Sequence, residues 1–475
     1  MLFNSFTFFV FLPIVFILYW FVLRTKLKAQ NALILVASYL FYAWWDWRFL
    51  SLILFSTLLD FYLGKALGKS NSKKRSKSLL WTSLFVNLGF LGVFKYFNFF
   101  IDSWVEAWGG LGVDLEVSTL SIILPVGISF YTFQTLSYTI DVYRKKLQPT
   151  HSLLNFAAYV AFFPQLVAGP IERAARLLPQ FSQARTFSYK VAKSGVYLII
   201  WGLFKKVVIA DNCAFFVNQI FDNPDNFSSA ELGLGAVLFA FQIYGDFSGY
   251  SDIAIGTARL FGFQLMTNFA FPYFSRDIAE FWRRWHISLS TWFRDYVYIP
   301  LGGSRVRRSL QVRNVLIIFL VSGFWHGANW TFIIWGALHA LFFLPLLFFK
   351  LNRKYLENDA LKFQQILKIG FTFTIVCLAW IFFRANSLTE ALQYMYNIAE
   401  FKSASLMYFI KSSKFILLSA MILFSVFIML YFEFKAFRKQ MVEVNLNRFS
   451  AAFIIACIVL MGAFKNQADF IYFQF

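Results

Sequence analysis

The sequence predicts an all-α fold: a polytopic transmembrane helical bundle of about 11–13 spans, plus re-entrant and interfacial helices. Three observations lead there. Of 475 residues, 59% are hydrophobic and 14% charged, whereas soluble domains carry about 25% charged residues. Mean hydropathy is +0.60, and apolar runs recur from end to end. Sixty-five Phe and fifteen Trp exceed what a soluble core needs and suit lipid-facing and interfacial positions.

The net charge of +20 would suggest a nucleic-acid partner in a soluble protein. No base-stacking or groove-reading motif accompanies it. Lys and Arg collect in the cytoplasmic loops of membrane proteins, so the bilayer is the expected partner and nucleic acid is not. Cys213, Cys377 and Cys457 lie far apart without a CxxC, which indicates neither a disulfide framework nor a zinc site. No metal site is expected.

The first apolar run, Phe6–Val22, has no basic n-region or cleavage site and reads as a retained span. Residues 32–45, 49–67 and 79–97 read as the next three. Arg24, Lys26 and Lys28 make one link basic, and residues 65–77 make another. Their parity places both links in the cytoplasm and the N-terminus outside. Asp102, Glu106, Asp114 and Glu116 then belong to an external segment. Residues 120–143 return inward and end at Arg144, Lys145 and Lys146.

Residues 153–169 are apolar but have two cytoplasmic-looking flanks. Pro164, Gly169 and Pro170 suit a segment that dips in and returns. Residues 196–209 and 232–255 read as an outward and an inward span, although Lys205 and Lys206 sit awkwardly in the first. Residues 267–313 are basic and aromatic and read as interfacial or re-entrant helices on the cytoplasmic side. Residues 314–349 are too long for one span and read as entering and returning, with the break near 323–329. Residues 369–383, 415–431 and 451–464 complete the spans and leave the C-terminus external. The chain is expected to be one membrane domain, 1–475, with N-terminal spans (1–143), a catalytic core (144–349) and C-terminal spans (350–475).

The chemistry concentrates in residues 281–347, which hold His286, His326 and His339, three of the four histidines. His326 lies in SGFWHGANW. An ionisable group within an apolar run marks a functional site by default, and imidazole is the usual general base near neutral pH. The bland alternative is a buried histidine bonded to a helix carbonyl. His286, in RRWHISLSTWFRDY, is either a second functional imidazole or an interfacial residue among snorkelling arginines. Arg283, Arg284 and Arg294 are candidates for an anionic, phosphate-bearing donor, with a solvated cytoplasmic face as the alternative. Asp295 beside Arg294 reads as an ion pair. His339, thirteen residues past His326, would point elsewhere on a continuous helix and reads as packing. His151 carries no signal. There is no GxSxG, Walker A or HExxH. Asp246 and Asp252, in YGDFSGYSDIAIG, read either as a cation or proton site, hence a transporter or acyl flippase, or as neighbours of small packing residues.

WHISLSTWFRDYVYIPLGGSR and SGFWHGANWTFIIWGALHA resemble the membrane-bound O-acyltransferase (MBOAT) family, and FPQLVAGPIER, YGDFSGYSDIAIG and FYAWWDWRF extend the likeness along the whole chain. The nearest branch is bacterial: the membrane subunit of alginate O-acetylation and its peptidoglycan-acetylating relatives, with IFFRANS and the terminal FIYFQF matching that subgroup. The resemblance implies an MBOAT fold around a central tunnel, with His326 catalytic and His286 nearer the cytoplasm. It implies a cytoplasmic acyl donor, an acyl thioester such as acetyl-CoA. The acceptor is a hydroxyl of an extracytoplasmic polysaccharide, served by a periplasmic transferase partner in a bacterial inner membrane. His326 is then the general base, Asn329 or Trp330 stabilises the oxyanion, and His286 positions the donor. The alternatives are D-alanyl transfer to teichoic acid and the Asp246/Asp252 transporter.

Overall fold

The computed structural model describes residues 1–115, 117, 119, 123–167, 169–356, 363–401, 403–464 and 470–473, and every regular element among them is helical. Five helical stretches are long and apolar enough to cross a membrane: Leu27–Gly68, Lys73–Gly109, Trp330–Phe348, Gln364–Arg384 and Ser413–Arg438. Phe6–Val22, Leu153–Leu166 and Arg448–Met461 are shorter apolar helices. The chain is a multi-pass helical membrane protein, folded as two compact units that do not follow chain order. One comprises Met1–Lys193 with Thr257–Met266, the other Ser194–Gly256 with Thr267–Phe475.

The first unit contains α1 (Phe6–Ile17), α2 (Leu27–Asp46), α3 (Leu50–Gly68), α4 (Lys73–Leu91), α5 (Phe97–Gly109), α6 (Ile128–Tyr143) and α7 (Leu153–Val160). Three details refine the sequence reading. The basic link expected over 65–77 is mostly helix: α3 ends at Gly68, and α4 starts at Lys73 with Ser72 as its cap. Lys and Arg are good helix formers, and their long stems carry the charge to water from a helix end. Asp102 and Glu106 of the expected external segment lie within α5, spaced i,i+4 on one face. Residues 120–143 are not one helix: α6 begins at Ile128, after Pro125 and after Gly127 at φ +74°, a conformation glycine adopts without a Cβ penalty. Glu116 and residues 120–122 lie outside the described residues.

A buried carboxylate in this unit is satisfied by neutral donors. Asp60 on α3 accepts Asn87 Nδ2 at 2.8 Å and Thr139 Oγ1 at 2.8 Å, and also the Ser83 hydroxyl. Residues 153–169 are broken, as Pro164 suggests. α7 ends at Val160, and a single turn, Phe163–Leu166, follows. The freed Phe163 N–H donates to Ser38 Oγ at 3.0 Å.

The second unit is built on α8 (Tyr189–Leu203), α9 (Asp211–Asp222) and α10 (Ser229–Leu260), followed by the short α11 (Ile278–Arg284) and α12 (Ile287–Phe293). A π-helical segment, Phe204–Ala210, joins α8 to α9. α8 and α10 meet at glycines. A Cβ on Gly202 would lie 2.6 Å from the Gly249 carbonyl oxygen, and one on Gly249 2.7 Å from that of Gly202. The two awkward lysines occupy the π segment, buried and paired. Lys205 Nζ is 2.7 Å from Asp252, while Lys206 Nζ is 2.8 Å from both Asp211 and Asp246. Removal from water is tolerable for an ammonium when carboxylates face it.

Beyond them α13 (Arg308–His326) and α14 (Trp330–Phe348) form a hairpin. The break expected near 323–329 falls at residues 327–329, between the two arms of this pair. Gly323 and Gly336 face one another, each placed where a Cβ would strike a carbonyl of the opposite arm, Phe332 or Phe319. α15 (Phe363–Arg384), α16 (Ser413–Arg438) and α17 (Arg448–Met461) complete the unit.

Candidate active site

α11 carries the approach to the first histidine. Asp277 caps it, accepting Glu280 N–H at 2.7 Å. Glu280 is buried between two arginines, 2.9 Å from Arg276 and 3.0 Å from Arg284. Arg284 also donates to the Ala270 carbonyl at 3.0 Å, and the Ala270 N–H returns a bond to the Arg284 carbonyl at 3.0 Å. This lattice fixes the chain just before it turns sharply at His286.

His286 sits at φ +42°, ψ +54°, a left-handed conformation that costs a non-glycine residue about 1–3 kcal/mol and persists where the surroundings over-determine it. Asn268 does so here. Its main-chain carbonyl accepts Ile287 N–H at 2.9 Å. Its side-chain Oδ1 lies 3.0 Å from His286 Nδ1 and accepts Ser288 Oγ at 2.9 Å and Ser288 N–H at 3.4 Å. Asn268 Nδ2 donates to Ser251 Oγ at 3.0 Å. A backbone N–H only donates, so the atom it faces is the amide oxygen. His286 Nδ1 therefore carries a hydrogen, and in the neutral ring Nε2 holds the lone pair. Nε2 is buried and has no hydrogen-bond partner among the described residues.

His326 is the last residue of α13. Gly327 leaves the helix in extended backbone, and Asn329 caps α14 by accepting Thr331 N–H at 3.0 Å. Gly327 has no room for a Cβ, which would meet the Phe332 ring. The break thus delivers His326, 2% exposed, to the interior of the second unit. Its ring centroid lies 6.3 Å from that of His286, 5.1 Å from Trp335 and 5.4 Å from Phe383.

The two predicted histidines are thus together. A third group joins them that the sequence did not single out. Tyr472, quoted only as part of a subgroup tail, places its ring 5.6 Å from His326 and 6.5 Å from His286. Its buried hydroxyl has no hydrogen-bond partner among the described residues. Nothing in a tyrosine within a short apolar tail signals this; only the fold brings it in.

Other expectations end differently. Asn329 commits its amide to Thr331 and to the Asn386 carbonyl at 2.7 Å, so it is not free to face an oxyanion, and Trp330 is half exposed. Two buried indoles flank His326, Trp325 at 4.9 Å and Trp335 at 5.1 Å between ring centroids, and the Trp335 Nε1–H has no hydrogen-bond partner among the described residues. Arg283 donates to the Asn352 carbonyl at 2.8 Å, Arg284 is held as above, and Arg294 is exposed and paired with Asp295 at 2.8 Å. Asp246 and Asp252 do not form a cation site: each faces a buried lysine, as described. His339 is not on a helix continuous with His326, but on the other arm of the hairpin. There its Nδ1 accepts Trp282 Nε1–H at 3.2 Å.

The class is thus a multi-pass helical membrane protein, in whose interior His326, at the break of the hairpin, meets His286 from the turn before α12. Residues 40–391 match the family model of the membrane-bound O-acyltransferases, and the chain belongs to that family; it is an acyltransferase. It is 43% identical over 395 residues to the probable alginate O-acetylase AlgI of Pseudomonas aeruginosa, covering 82% of this chain and 73% of the relative. It is 36% identical over 449 residues to the peptidoglycan O-acetyltransferase of Helicobacter pylori, covering 87% and 82%. The teichoic acid D-alanyltransferase of Bacillus subtilis is 32% identical over 280 residues, covering 55% and 69%.

Proposed function

We propose that the protein moves an acetyl group from a cytoplasmic thioester, acetyl-CoA, toward hydroxyls of an extracytoplasmic polysaccharide of the alginate or peptidoglycan type. The observation that carries this reading is the buried cluster of His326, His286 and Tyr472, in which His286 presents a lone pair rather than a proton. Acetyl is favoured over D-alanyl because the acetylating relatives match four-fifths or more of this chain and the D-alanylating one 55%.

In the proposed reaction His326 takes the proton of the acceptor hydroxyl as its oxygen attacks the thioester carbonyl. The negative charge moves to the carbonyl oxygen, where the Trp335 indole N–H is the nearby donor. Collapse breaks the carbon–sulfur bond, and the departing thiolate takes the proton back from His326. The ester and the free thiol are the products, with no net proton. His286 orients the donor through Nε2. Arg294 is the remaining candidate for the donor's phosphates, since Arg283 and Arg284 are held by partners within the fold, whereas the Arg294–Asp295 pair is solvent-exposed. A periplasmic transferase completes delivery to the polymer, in a bacterial inner membrane with both termini outside.

Purified protein in detergent, given acetyl-CoA and a soluble acceptor sugar, is expected to release free thiol and form an acetyl ester. Transport without thiol release would instead support a carrier. Mass spectrometry of surface glycans from a deletion strain identifies the polymer by the acetyl ester it loses. The orientation is tested by labelling single cysteines from outside: Asp114→Cys should react, and Lys73→Cys and Arg307→Cys should not. The opposite pattern reverses it.

A further inference from the structure

One of the paired carboxylates of YGDFSGYSDIAIG, Asp246, makes a contact that neither cation binding nor helix packing describes. Asp246 Oδ2 accepts the backbone N–H of Ile471 at 2.7 Å, while its Oδ1 lies 2.8 Å from Lys206 Nζ. Lys206 is itself fixed by Asp211 at 2.8 Å. The flanking tail residues are held by the same helix. The Phe470 ring lies 4.2 Å from Tyr250 and the Tyr472 ring 4.5 Å from Phe247, centroid to centroid. Three consecutive tail residues are therefore received by Asp246, Phe247 and Tyr250 of α10, where i and i+4 share a face. The middle contact is to main chain, and a buried N–H left unpaired is costly.

We propose that Asp246 is a positioning residue: its carboxylate, oriented by Lys206, latches the C-terminal segment and so holds Tyr472 against His286 and His326. The paired carboxylate is then part of the transfer site at one remove. Loss of the latch frees the tail and opens the cluster on the side Tyr472 covers. The inference rests on the histidine cluster being the transfer site, as proposed above.

Two variants break the same bond from opposite sides. In Asp246→Asn the Lys206 ammonium claims the amide oxygen, which turns the NH₂ toward the Ile471 N–H, donor against donor. Ile471→Pro removes the donor on the tail and leaves the helices intact. In purified full-length protein each should lower turnover about tenfold, the weight of one buried hydrogen bond to a charged group. The double variant should be no worse than the worse single, because both act through one contact. Losses that multiply, or a fully active Ile471→Pro, would overturn the latch. A second readout needs no activity. A cysteine at Tyr472 should react with a maleimide about tenfold faster in the Asp246→Asn background, over a background from buried Cys213, Cys377 and Cys457 measured in the parent. Equal rates overturn the latch. If His326→Ala retains full transfer while labelling accelerates as stated, the transfer reading falls and the latch stands. If labelling is unchanged and His326→Ala is inactive, the latch alone falls.

Discussion

The two arms of one hairpin each bury a histidine, and the two differ in company. Trp335 packs against both, 5.1 Å from His326 and 4.8 Å from His339. On the α14 side His339 is boxed by rings, parallel to Phe281 at 6.1 Å and 3°. Its Nδ1 accepts the Trp282 indole N–H. An indole only donates, so His339 Nε2 carries the hydrogen. On the α13 side His326 meets a phenol and a second imidazole, His286, whose tautomer is the opposite. Depth does not separate these residues: His326 is 2% exposed, and His286 and His339 are 0%. What separates His286 from His339 is the nitrogen left over: the Nε2 lone pair of His286 can take a proton or hold a donor group, and the buried N–H of His339 in its aromatic box cannot take one.

The largest effect that tests this contrast is at His326. General-base assistance contributes about 10²–10⁴-fold in rate, so His326→Ala should abolish detectable surface acetylation while expression and monodispersity in detergent stay near wild type. His326→Gln keeps hydrogen bonding but takes no proton near neutral pH, and should be equally inactive. An active Gln variant would show that polarity alone suffices and erase the distinction between the arms.

Next comes His286→Ala, expected to lower transfer sharply in a protein that still inserts and purifies. Unchanged transfer would reduce the residue to a structural turn. Asn268→Leu sharpens the same point without touching the imidazole. It removes the acceptor that keeps the hydrogen on Nδ1, and about a tenfold loss is expected, typical of one buried hydrogen bond. Full activity in that variant would show that the tautomer does not matter.

Much of this was legible in the sequence, and the losses have physical causes. The broken hairpin and the burial of His326 follow from chain length against bilayer thickness and from imidazole in an apolar run. Lys205 and Lys206 looked wrong for a span because the sequence hides their partners: Asp252 is 47 positions away from Lys205, a pairing only α8 packing on α10 makes. The cation-site alternative for Asp246 and Asp252 falls for the same reason, since each carboxylate faces a lysine distant in the chain. Tyr472 was invisible as a site residue because its role depends on where a tail docks. Asn329 was assigned to an oxyanion on chemistry alone, when its place just before α14 commits the amide to capping.

The smallest effect should fall at His339. His339→Ala removes the acceptor for Trp282 Nε1–H and leaves a cavity among Trp335, Phe281 and Phe319. Core truncations of this size typically cost about 2–5 kcal/mol, so the variant should melt earlier in detergent. Per folded molecule its turnover should stay within about threefold of wild type, because its Nδ1 lone pair is committed to Trp282 and its Nε2 already carries a hydrogen, so neither nitrogen is free to take a proton. His339→Gln, which restores an acceptor to Trp282, should recover part of the lost melting temperature with turnover unchanged. The opposite split, normal melting with turnover lost as deeply as in His326→Ala, would mean that Trp335 relays between two functional imidazoles, and the contrast between the arms would collapse.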